Sequence, residues 1–171
     1  ETYLNEIHGA VSQAEKESGI TEKNRSQYHC LTFGGIIDED QVTLSIDNIV
    51  AASGMVDYGK ITELVFVPLE DYNALTGKEE TLKSGEVLLC CTREGKYNYD
   101  TISIEGMEKL QIKAQVPEFV SNGEVSAVIM SAIYIVVPDL GTLEKADAAQ
   151  KQAYGENASE PYEYYGFDLD G

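Results

Sequence analysis

The chain carries two histidines, His8 and His29, so any histidine-based triad or zinc centre must use one of them. His8 follows Ile7 in a stretch with helical spacing and precedes Gly9. His29 adjoins Cys30 in a stretch that reads as a strand, where neighbouring side chains point to opposite faces, so the two do not share one metal ion. Neither histidine sits in a nucleophile–base pattern, and both read as surface or hydrogen-bonded core residues.

Carboxylates are plentiful: 30 acids against 12 bases give a net charge of −18. Asp38-Glu39-Asp40 reads as a solvated turn, and Glu79-Glu80 as the flank of a helix end. Asp168-Leu169-Asp170-Gly171 resembles the opening of a calcium loop, but these residues do not include the later bidentate Glu that such a loop needs. Gly54-Met-Val-Asp-Tyr-Gly59-Lys60 fits seven positions of a phosphate-binding loop. The eighth is Ile61 where a magnesium-binding hydroxyl belongs, and Asp57 would put a negative charge inside the cradle. The residues after Lys60 are strand-like, whereas the motif needs a helix N-terminus there. No G-x-S-x-G nucleophile turn is present. The expectation is no catalytic residue, no cofactor and no metal site. A hydrolase using acidic residues or His29 is the third-ranked function class.

Tyrosine is the remaining signal, with eleven Tyr, four Phe and no Trp. Tyr97 and Tyr99 form one cluster; Tyr162, Tyr164 and Tyr165 form another. Tyrosine combines apolar area with a hydrogen-bonding tip, which suits a ligand or partner contact. Edge strands also favour aromatic residues, so the five are candidate contact residues on composition alone.

These residues need elements to position them. Leu4, Ile7, Val11 and Ala14 form one apolar stripe of a helix over Thr2 to Ser18, ended by Gly19. It is either the top of a stalk entering from upstream or an ordinary helix packed on a sheet. Strands are expected at Tyr28–Phe33, ended by Gly34-Gly35, then at Gln41–Ile46, Ile61–Val67 and Glu86–Thr92. Pro68 and Gly77 bracket a short helix from Leu69 to Thr76. Thr101–Glu105 and Lys109–Gln115 alternate polar and apolar residues around Gly106, as a hairpin with one wet face does. Asn122-Gly123 is a turn signal, and the apolar strand at 127–137 stops at Pro138. Asp139 caps a helix from Leu140 to Tyr154, and Tyr162–Leu169 reads as a final strand.

Seven to nine strands and about three helices, with hairpins rather than a regular strand–helix alternation, make the class α+β: helices packed on a mixed, mostly antiparallel sheet. At 171 residues the chain is expected to be a single domain, possibly with a smaller inserted or appended unit. By surface scaling it buries roughly 70% of its unfolded area, enough for a core that its 43% hydrophobic residues can supply. A chain this acidic repels phosphate backbones, so nucleic acid is not an expected partner. No apolar run reaches the length of a membrane span. Glu1-Thr2-Tyr3 shows neither an initiator Met nor a signal peptide, which suggests an excised piece or a mature form. Three cysteines do not make a disulfide framework. Cys90 and Cys91 are small strand residues, and whether one of them pairs with Cys30 stays open.

The stretch Leu69-Glu-Asp-Tyr-Asn-Ala-Leu-Thr-Gly-Lys78, continuing into Thr81-Leu-Lys-Ser-Gly-Glu-Val-Leu-Leu89, resembles the extracytoplasmic domain of FtsX-like, MacB-type ABC-transporter permeases of Gram-positive bacteria. Ile133-Tyr-Ile-Val-Val-Pro-Asp139 before a helix, and the closing Tyr165-Gly-Phe-Asp-Leu169, are similar too. The likeness spans residues 60–171, and 1–59 only loosely. It implies a location on the extracytoplasmic face of the cell membrane and partners in the membrane helices of the same permease. It also implies a cytoplasmic ATP-binding subunit, cationic antimicrobial peptides as substrates in one subgroup, and an associated sensor kinase there. It transfers no catalytic residue. The expected function is non-enzymatic sensing or coupling in a permease, with a free secreted or surface-anchored binding module as the alternative.

Overall fold

The computed structural model describes residues 2–19, 21–37, 41–44, 61–91, 100–104, 106–116, 132–155, 158 and 160–170. Among these, the chain forms three helices and eight strands. In chain order they are α1 (Thr2–Ser18), β1 (Thr21–Ile37), β2 (Gln41–Leu44), β3 (Ile61–Pro68), α2 (Leu69–Thr76), β4 (Glu86–Cys91), β5 (Thr101–Ile104), β6 (Leu110–Val116), β7 (Ala132–Val137), α3 (Leu140–Tyr154) and β8 (Tyr162–Asp170).

The local signals work as their chemistry requires. Pro68, at φ −63° and ψ 145°, precedes α2, and Gly77 at φ 69° closes it in the left-handed conformation. Asp139 caps α3: its Oδ1 accepts a hydrogen bond from the Thr142 N–H at 2.7 Å and one from the Thr142 hydroxyl at 2.9 Å. β5 and β6 form the expected antiparallel pair, with Thr101 opposite Gln111 and Ile102 opposite Leu110.

The class is α+β, as expected, but the sheet is mixed rather than mostly antiparallel. Strands run in the order β2-β5-β6-β4-β7-β3-β1-β8, and β2 also pairs with β1, so the ladder from β1 to β2 closes on itself. The pairs β2–β5, β3–β7 and β4–β6 are parallel. None of these joins strands that are consecutive in the chain. Periodicity reveals which face of a strand is wet, not which distant strand lies beside it.

A second correction concerns Gly34-Gly35, which do not end a strand. β1 continues through them to Ile37, and Gly35 is paired on both sides, with Thr62 of β3 and Leu44 of β2. Two ladders of backbone hydrogen bonds outweigh the entropic penalty of glycine in a strand, about 0.5–1 kcal/mol. β1 is also longer than expected at its start, where Thr21 to Cys30 pair with β8.

The central strands β3, β4 and β7 are buried on both faces, which is why they read as near-continuous apolar runs. Leu64, Phe66, Val87, Leu89, Ile133, Ile135 and Val137 form one core with Leu143 and Ala146 of α3. The alternate residues Val65, Val67, Leu88, Cys90, Tyr134 and Val136 form another with Tyr72 of α2. Cys30 and Cys90 share that second cluster as buried thiols, not as a disulfide.

Among the α1 residues whose burial is described none is fully buried; Ile7 and Val11 are half-buried and Tyr3 is 74% exposed. The turn Asn122-Gly123, the strand residues 127–131, the phosphate-loop-like stretch from Gly54 to Lys60 and the acidic turn 38–40 lie outside the described residues.

Candidate functional site

The most concentrated polar chemistry gathers around His29. β8 lies antiparallel to β1, and His29 sits opposite Glu163 in that register. The pairing of β1 with β3 reaches only to Leu31 opposite Phe66, because β3 ends at Pro68 and α2 begins. The third residue of α2, Asp71, occupies that position: its Oδ2 accepts a hydrogen bond from the backbone N–H of His29 at 2.7 Å.

The same Asp71 Oδ2 lies 2.9 Å from His29 Nδ1, and Glu163 Oε1 lies 2.9 Å from His29 Nε2. Each ring nitrogen of His29 thus stands within hydrogen-bond distance of a carboxylate oxygen, one from α2 and one from β8. The side chains are 43%, 21% and 25% exposed for His29, Asp71 and Glu163, so water still screens the trio. Glu163 Oε2 is buried and accepts no hydrogen bond from the described residues.

A recess of about 250 Å³ adjoins this trio, lined by His29, Cys30, Glu163, Pro161 and Leu140 and Leu143 of α3. The trio begins like a catalytic triad, with a carboxylate orienting a histidine. It diverges at Nε2, which meets a second carboxylate where a nucleophile would stand. Cys30 is almost fully buried and packs in the apolar cluster around Tyr72. The geometry is that of a tie between elements. Among the described residues, no three His, Cys, Asp or Glu side chains converge to hold a metal ion.

Sequence reading singled out His29 but not its partners. Asp71 is 42 residues from His29, and Glu163 reaches it only through strand pairing. No local signal marks either. Each residue of Asp71-Tyr72-Asn73 has a structural task. Asp71 holds His29, and Tyr72 is buried in the core. Asn73 exchanges two hydrogen bonds with the backbone of Glu80, at 3.0 and 3.1 Å, which fastens the loop after α2.

Of the tyrosines proposed as contacts, Tyr162, Tyr164 and Tyr165 lie on β8, opposite Cys30, Tyr28 and Gln27. Tyr97 and Tyr99 lie outside the described residues. Lys151 on α3 makes a second tie to the segment before β8, binding Asp147 at 3.0 Å and Glu160 at 2.9 Å. Its hydrogen bond to Glu160, and next that to Asp147, raise its pKa above the usual lysine value.

No protein-family model matches the chain, and no curated protein matches it.

Proposed function

We propose that this chain is a non-enzymatic, extracytoplasmic substrate-sensing or coupling domain of an ABC-transporter permease, facing cationic peptides. The observation that carries the reading is the pairing of β1 with β8. Thr21, three residues beyond α1, lies opposite Asp170. The start of β1, directly after α1, and the end of β8 therefore lie side by side. An element joined to a membrane at one place can transmit a shift in its body to that place.

The His29 tie supplies a path for such a shift, because it links α2 to β1 and β8 through one side chain. Ligand binding that displaced α2 would act on the paired strands, and through them on α1. The energy for transport would come from a cytoplasmic ATP-binding subunit, with the membrane helices of the same permease between. A net charge of −18 favours cationic peptides by steering their encounter, an effect that weakens as salt screens it.

The test is to determine the gene sequence on both sides of the chain. Apolar runs of about 20 residues on both flanks are expected. A signal peptide upstream with a stop just downstream overturns the permease reading and favours a secreted binding module. Titration with a cationic amphipathic peptide then tests sensing separately: binding at about 20 mM salt that weakens at about 300 mM is expected. A peptide that does not bind at low salt removes sensing and leaves coupling.

A further inference from the structure

A second cavity lies away from His29, between one face of α3 and the turn from β5 to β6. It is an open recess of about 440 Å³, within the range of small-molecule sites. Its floor is apolar: Leu110 and Ala149 are buried and Met107 half-buried. The turn lies against the helix there. A Cβ on Gly106, whose φ is +83°, would come within 3.4 Å of Ala149 Cβ. The turn needs that glycine for its backbone angle, and its closeness to the helix shapes the inner end of the cavity.

The rim carries Lys109 and Lys145, both exposed. Among the described residues, neither ammonium has a carboxylate within ion-pair distance. In a chain with 30 acids and 12 bases, two such lysines beside one cavity run against the overall charge. Glu108 also lines the cavity, so the lining holds two cations and one anion.

The geometry points to a binding site for a small, dissolved organic anion: one acidic head held by Lys109 and Lys145, and a short apolar body on Met107, Leu110 and Ala149. The space admits an acidic head together with a short apolar body. The body gains by leaving water, and the charged head contributes the selectivity for anions. This inference does not depend on the permease reading, and its ligand has the opposite charge to the peptides proposed above.

The test is an amide NMR titration of the chain with sodium octanoate, with 1-octanol as its uncharged counterpart. Saturable shifts at Gly106, Ala148 and Ala149 are expected with octanoate, and weaker binding with octanol. The double variant K109Q/K145Q, which alters only exposed side chains, is expected to weaken octanoate about tenfold and leave octanol unchanged. Ala148→Phe fills the cavity from an exposed position and is expected to abolish both, with melting curves confirming that each variant folds. Equal binding of the two probes, indifference to K109Q/K145Q, or no saturable shift at millimolar octanoate overturns the proposal. Phosphatidylglycerol vesicles that retain the wild type but not K109Q/K145Q also overturn it, by assigning the lysines to a lipid surface.

Discussion

His29 and Glu163 face each other across the β1–β8 pair, with Nε2 2.9 Å from Oε1. The other ring nitrogen is held by Asp71 of α2, so one imidazole joins the outermost strand to a helix packed on the sheet. Removing the ring takes away the group that bridges the two carboxylates. His29→Ala is expected to destabilise by about 1.5–3 kcal/mol, the range for hydrogen bonds to charged groups, discounted toward the lower end because the ring is 43% exposed. Urea unfolding checks this, and a cycle with Glu163→Ala should give a coupling of about 0.5–1 kcal/mol. Additivity of the two substitutions would show that the contact carries no weight.

Phe66 is fully buried at the centre of the sheet, packed toward α3. Phe66→Ala is expected to cost about 3–5 kcal/mol, a large share of a typical domain's total. The measurement is a shift of the urea midpoint at unchanged slope. A loss under about 1 kcal/mol would mean that the core is not built around this ring.

Asp139→Ala removes both hydrogen bonds to Thr142 and is expected to cost about 1 kcal/mol. Asp139→Ser keeps a capping oxygen and should restore most of that. If the serine variant melts with the alanine variant, the cap is not the cause.

Lys151 has a raised pKa, chiefly through its hydrogen bond to Glu160 and then through Asp147. A raised value means that the folded state favours the charged ammonium. The contribution to stability is therefore complete below the ordinary value of 10.5, and is lost as pH rises through the higher folded value. The side chain is exposed, so the contribution is small. In a carbon-13 titration, Lys151 Cε should change after the other exposed lysines, and Glu160→Gln should bring it back toward them. Simultaneous titration in the wild type would remove the tie between α3 and the segment before β8.

Sequence alone determined the parts of this protein that depend on neighbours in the chain. Pro68 and Gly77 bracket α2 and Asp139 starts α3, because caps and left-handed turns are decided within four or five residues. The apolar runs of β4 and β7 announced buried strands, because burial on both faces removes polar alternation. Tertiary structure decided the rest. It set β3 beside β7 and β4 beside β6 in parallel, carried β1 through Gly34-Gly35, and brought Asp71 and Glu163 to the two nitrogens of His29. Strand neighbours are chosen by the packing of whole faces, and a side chain's partners across 42 residues or more result from that choice rather than from any local preference.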